Sequence, residues 1–135
     1  MKLSALYQIF LDCQSVTTDS RNCPDGSLFI ALKGESFNGN AFAKLALDSG
    51  CAFAIIDEIQ YAIEGDQRYI LVDDCLQTMQ QLANYHRRQL GTRVIGITGT
   101  NGKTTTKELI SSVLCQNHNV LYTLGNLNNH IGVPL

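Results

Sequence analysis

Six consecutive residues, Gly99-Thr100-Asn101-Gly102-Lys103-Thr104, carry the most specific chemistry in this 135-residue sequence. Two glycines three places apart let successive backbone N–H groups turn toward one anion. A helix starting just behind them adds the positive end of its dipole. Lys103 then reaches the β and γ phosphates of a nucleotide, and the Thr104 hydroxyl is placed to ligate Mg²⁺. The eight-residue form of such loops has a further glycine five places before the second one. Ile97 stands there, so this is the shorter Gly-x-x-Gly-Lys-Thr variant. The competing reading is a plain glycine turn with a solvated lysine; the apolar stretch before the loop and the threonine-rich stretch after it favour nucleotide binding.

Two further groups have the right chemistry for a phosphorylated substrate. Ser20 and Arg21, in Thr18-Asp19-Ser20-Arg21, stand near glycines that can offer backbone N–H groups, Gly34 after Lys33 among them. A guanidinium pairs bidentately with phosphate, so the set suits a diphosphate-sugar, although these residues alone read more readily as a structural turn. The second group is the asparagine cluster Asn126, Asn128 and Asn129, whose amides both donate and accept. Of the three histidines, His86 stands beside Arg87 and Arg88 and reads as part of a solvated helix C-terminal turn. His118 reads as surface, and His130 as the one able to approach a cleft.

Those residues need elements to position them. Residues 3–11 read as a short helix, a short strand leads into Thr17–Arg21, and Leu28–Leu32 is a buried strand after the Pro24-Asp25-Gly26 turn. Residues 33–40 read as a loop. Residues 41–49 read as a helix with Phe42, Leu45 and Ala46 inward, stopped by Gly50. Cys51–Ile56 and Tyr69–Val72 are the next strands. Asp73 or Asp74 then caps a long helix with Leu76, Met79, Leu82, Ala83 and Leu90 on its apolar positions, ended by Gly91. From Arg93 a new unit begins: strand Val94–Thr98, the loop, helix Thr104–Gln116 and strand Val120–Thr123. This is a βαβ unit whose crossover should be right-handed and parallel.

Composition bounds the class. With 44% hydrophobic residues, 16% charged residues and two prolines, the sequence describes a globular chain. A net charge of −2 without a basic tract gives no support to nucleic acid as a partner, and no apolar run is long enough for membrane insertion. Five irregularly spaced cysteines read as reduced thiols, and the location as cytoplasmic.

The run from Ile95 to Leu109 resembles the Mur ligase family, which activates a carboxylate with ATP and joins it to an amine. Thr18–Arg21 followed by Gly26–Gly34 is similar to the N-terminal UDP-binding domain of the members that add the third amino acid or the terminal dipeptide to a peptidoglycan precursor. Tyr122–Leu135 resembles the Gly-Asn-x-Asn-Asn-x-x-Gly-x-Pro segment of the dipeptide-adding members.

The resemblance implies an α/β fold: a small UDP-MurNAc-peptide-binding domain over 1–91, then the first βαβ unit of an ATP-binding central domain with a parallel sheet over 92–135, cut short. It implies the joining of D-alanyl-D-alanine to UDP-MurNAc-tripeptide through an acyl phosphate, with ATP and Mg²⁺. Gly99, Thr100, Asn101, Gly102, Lys103, Thr104 and Thr105 would hold the nucleotide, with Lys103 and Thr104 catalytic and Thr104 on the metal. Ser20, Arg21, Lys33, Gly34, Asn40, Asn126, Asn128 and Asn129 would bind substrate. One departure stands out: the family often has Asp-Gly-His where this chain has Asn38-Gly39-Asn40, and an asparagine cannot titrate as an imidazole does. The family's later glutamate, histidine, modified lysine and C-terminal domain would fall beyond Leu135, so these residues alone are expected to lack ligase activity. A ligase adding the third amino acid and a non-catalytic UDP-sugar or nucleotide-binding module are the alternatives.

Overall fold

The computed structural model describes residues 2–123, 127 and 129–135. Four short strands, β1 (Val16–Thr17), β2 (Leu28–Ile30), β3 (Phe53–Ile56) and β4 (Tyr69–Leu71), form one parallel sheet in sequence order. The register sets Val16 opposite Leu28, Leu28 opposite Phe53 and Ala54 opposite Tyr69. Every residue of β2 is buried, which requires cover on both faces and explains its uninterrupted apolar run. Ala31 extends the pairing by donating its N–H to the Ile55 carbonyl at 3.0 Å.

Helix α1 (Leu3–Asp12) packs on α3 (Cys75–Leu90) through an aromatic cluster. Tyr7 meets Tyr85 edge-on at 4.9 Å between ring centres, and Phe10 meets His86 at 5.0 Å. The Tyr7 hydroxyl and His86 Nδ1 share a hydrogen bond of 3.1 Å. His86 is therefore a half-buried packing residue, not part of a solvated turn. The neighbouring arginines hid this, because only the docking of α1 supplies its partners.

Helix α2 (Ala43–Asp48) starts two residues later than the sequence pattern suggested, after a 3-10 turn at Gly39–Phe42. Asn38 caps that turn by accepting the Asn40 N–H. The shift rotates the helix: Ala43, Ala46 and Leu47 are buried, while Phe42 and Leu45 face outward. Of the expected inward residues only Ala46 is inside. Asp74, rather than Asp73, caps α3, accepting the Gln77 N–H at 2.7 Å, and Gly91 closes the helix in the left-handed region at φ 62°. Met79 and Leu82 line its buried side, whereas Leu90 is exposed. Replacing Asp74 by alanine should cost about 1 kcal/mol of stability in urea unfolding, and replacing Asp73 much less.

Beyond Gly91 the expected βαβ unit is realised only in its helix, α4 (Lys103–Leu114). Val94–Thr98 and Val120–Thr123 are not strands. Val94 and Ile95 are 63% and 62% exposed and Leu121 is wholly so. Among the described residues neither segment has a ladder partner, and two short strands by themselves are marginal. The apolar stripe of α4, Leu109, Ile110, Val113 and Leu114, correspondingly lines an open surface depression, and Ser111 is its buried residue. Near the end of the chain, Gln80 Nε2 donates to the His130 carbonyl at 3.0 Å and Ile131 packs against the core. All five cysteines are free thiols. Burial pushes the Cys75 thiol up to about 12.

Candidate functional site

The loop from Gly99 to Thr104 turns on two glycines with positive φ, 147° at Gly99 and 76° at Gly102. Side chains rarely adopt either conformation. A Cβ placed on Gly102 would meet nothing within 4 Å, so the backbone there faces open space where an anion can approach. Lys103 is the first residue of α4 and Gly102 carries no capping side chain. Thr106 donates to the Gly102 carbonyl at 2.9 Å, and the N–H groups of Lys103, Thr104 and Thr105 have no carbonyl of the helix to bond. The Lys103 ammonium folds back across the loop onto the Gly99 carbonyl at 2.5 Å. Thr100, Asn101, Thr104 and Thr105 are exposed. Among the described residues no group of three acidic, histidine or cysteine side chains can hold a metal. The Thr104 hydroxyl, exposed in the first turn of α4, is a hard oxygen donor of the kind Mg²⁺ takes.

The second group lies at the carboxyl ends of the parallel strands, the edge at which open α/β sheets bind ligands. After β1, the Thr17 hydroxyl donates to the carbonyls of Asn22 (2.9 Å) and Asp19 (3.3 Å) and accepts the Asp19 N–H at 3.2 Å. The Cys23 thiol lies 3.5 Å from the Ser20 carbonyl. The turn holding Ser20 and Arg21 is thus pinned from beneath. Arg21 presents a largely exposed guanidinium whose Nε and Nη2 each lie 2.8 Å from an Asp19 oxygen. These side-chain hydrogen bonds bring the Asp19 carboxyl down to about 2. Because the folded value is depressed, the contact is complete above the ordinary carboxylate range and lost as pH falls through about 2. A carbon NMR titration should place the Asp19 midpoint there, and Arg21→Ala should return it to about 3.9.

After β2, Lys33 pairs with Asp57 at 3.1 Å and Glu58 at 3.5 Å. Gly34 closes a tight turn, donating to the Phe37 carbonyl at 3.0 Å. A Cβ there would lie 2.3 Å from the Phe37 ring. Asn40 is buried just below, 1% exposed, with Nδ2 donating to Asp57 (2.8 Å) and Asn38 (2.9 Å) and Oδ1 accepting the Asp57 N–H (3.0 Å). Ser20, Arg21, Lys33 and Gly34 therefore stand along one edge, with Asn40 in the layer supporting it. Asn129 stands apart, its side chain accepting the N–H groups of Ile131 (3.1 Å) and Gly132 (2.7 Å). Asn126 and Asn128 lie outside the described residues.

Sequence reasoning passed over Asp57 and Glu58. Their signal was position: an acidic pair directly after the apolar run Phe53–Ile56, at the carboxyl end of a parallel strand. Burial opposes the ionised form of Asp57, but the hydrogen bonds from Asn40 and Lys33 and from the Cys75 N–H outweigh it and hold the carboxyl below its ordinary range.

A four-stranded parallel sheet, followed in the chain by a loop turned on two glycines at the head of a helix, defines an α/β protein. The family described as Mur ligase family, catalytic domain, matches residues 12–87, and the Mur ligase middle domain matches 97–135. The chain belongs to the Mur ligase family. It is 48% identical over 120 residues to the UDP-N-acetylmuramoyl-tripeptide–D-alanyl-D-alanine ligase of Bacillus subtilis, covering 89% of this chain and 26% of that one. To the Escherichia coli enzyme of the same name it is 40% identical, covering 90% of this chain and 26% of that one. A crystal structure of MurF from Acinetobacter baumannii superposes with a TM-score of 0.82 at 34% identity, over 98% of this chain and 31% of that one. MurF ligase from Thermotoga maritima in complex with ADP gives 0.80 at 31% identity, over 93% and 28%. The chain thus spans about a quarter of the length of the curated relatives it matches.

Proposed function

We propose that this chain is the N-terminal portion of an ATP-dependent ligase that joins D-alanyl-D-alanine to UDP-MurNAc-tripeptide in the cytoplasm. The observation that carries the reading is the loop at Gly99–Thr104: two positive-φ glycines at the head of α4, open space before the backbone, and a lysine spanning the turn. The names of the relatives favour the dipeptide-adding reaction over addition of the third amino acid.

In this reading residues 1–91 bind the UDP-linked peptide and 92–135 begin the ATP-binding unit. The N–H groups at the start of α4, with Gly99, Asn101 and Gly102, cradle the nucleotide's phosphates. Lys103 leaves the Gly99 carbonyl and neutralises charge on the γ-phosphoryl group as it passes to the peptide's terminal carboxylate. Mg²⁺, held by Thr104 and the phosphates, would supply further charge neutralisation. Arg21 and Lys33 face the UDP diphosphate at the sheet edge.

Calorimetric titration of the chain with UDP-MurNAc-tripeptide tests the substrate half of the reading. Binding should be measurable and weakened at least tenfold by Arg21→Ala, the loss of a charge-assisted contact. Absence of binding, or equal binding by the variant, would count against it.

A further inference from the structure

We infer that Asp57 is a positioning residue for the substrate edge, fixing the Lys33 ammonium so that it meets an incoming diphosphate. The inference rests on the reading of that edge as the UDP-sugar site. Asp57 directly follows β3, with its side chain only 6% exposed. Three donors converge on its carboxylate: Asn40 Nδ2 at 2.8 Å, Lys33 Nζ at 3.1 Å and the Cys75 N–H, at the start of α3, at 3.3 Å. Its own N–H returns to Asn40 Oδ1 at 3.0 Å, closing a two-bond ring between the two residues. One buried carboxylate therefore ties together the loop after β2, the end of β3 and the first turn of α3. Such a group has little freedom to move.

Lys33 is different, with its side chain 47% exposed. An ammonium has three N–H donors. Among the described residues Asp57 and Glu58 take two, and the third can serve a ligand. A lysine stem loses much rotamer freedom when it is immobilised. Asp57 imposes that loss before any ligand arrives, so the ammonium waits in place and the ligand need not order it. Asn38 steadies the second carboxylate, with Nδ2 3.2 and 3.1 Å from the two Glu58 oxygens. An ammonium held there attracts an anion far more strongly than a neutral nucleoside.

The test is calorimetric titration of the chain with UDP and with uridine, using the unaltered protein, Lys33→Ala, Asp57→Asn and the double variant, with each thermal midpoint recorded. The amide introduced by Asp57→Asn can still accept from Asn40, so the ring can persist. UDP affinity should fall about tenfold in Lys33→Ala and about fivefold in Asp57→Asn. The double variant should be no weaker than Lys33→Ala alone, because both changes act on one contact. Uridine affinity should not change in any variant. Unchanged or tighter UDP binding by Asp57→Asn, additive losses, or an equal loss with uridine would overturn the inference. If the unaltered chain binds no UDP, the functional reading fails and takes the inference with it. Should Asp57→Asn not fold, nitrogen NMR of the Lys33 ammonium in the unaltered chain decides. Its signal should shift with UDP and not with uridine, and a silent signal overturns the inference.

Discussion

Phe29→Ala should lower the stability of the chain by about 3–5 kcal/mol, the cost of emptying a fully packed aromatic site. Phe29 is 1% exposed in β2, which has a parallel neighbour on each side. Its partners in register are Thr17 and Ala54. Strand side chains stand perpendicular to the sheet, so the cavity would open on one of its faces, where a ladder held rigid on both sides of β2 can do little to fill it. Small domains are stable by only about 5–15 kcal/mol, so a loss of this size should move the urea midpoint far down and leave part of the population unfolded at 37 °C. The damage should reach the sheet edge too, since Leu32, Lys33 and Gly34 continue directly from this strand. A loss under about 1 kcal/mol would mean that Phe29 is not a core residue.

The second large effect concerns the loop. Lys103→Ala should weaken binding of ATP or ADP by about thirty- to a hundred-and-fiftyfold, the value of a charge-assisted contact to phosphate of about 2–3 kcal/mol. In the unliganded chain the ammonium sits on the Gly99 carbonyl, and its reach across the turn is already set. Its removal should leave the fold unaltered, because Lys103 closes no packing layer. Displacement of a fluorescent nucleotide reads the affinity, and circular dichroism the fold. Equal affinity in the two proteins would show that Lys103 makes no contact with phosphate.

Much of this was legible in the residues, for identifiable reasons. Leu28–Leu32 reads as a buried strand because a two-sided parallel strand needs no alternation, and Gly91 reads as a stop because α3 ends in the left-handed region. The turn at Gly99–Gly102 shows itself because its glycines are demanded by backbone angles, a local property. What depended on tertiary context was not legible. The inward face of α2 was set by the 3-10 turn before it, which hydropathy does not record. The segments 94–98 and 120–123 have strand-forming residues but pair with nothing among the described residues. His86 gains its role only from Tyr7 and Phe10, nearly eighty residues earlier. At the carboxyl edge of the sheet Arg21 and Lys33 could be named from residue type. Their carboxylate partners Asp57 and Glu58 became visible only when the sheet brought the loops after β2 and β3 together.

The most direct measurement replaces the matching quarter of the Bacillus subtilis ligase with these 135 residues and follows phosphate release from ATP. With a folded chimera, release should require both UDP-MurNAc-tripeptide and D-alanyl-D-alanine, and should vanish with Lys103→Ala. A folded chimera that releases no phosphate, or that accepts a single amino acid on the UDP-linked dipeptide instead, would contradict the account.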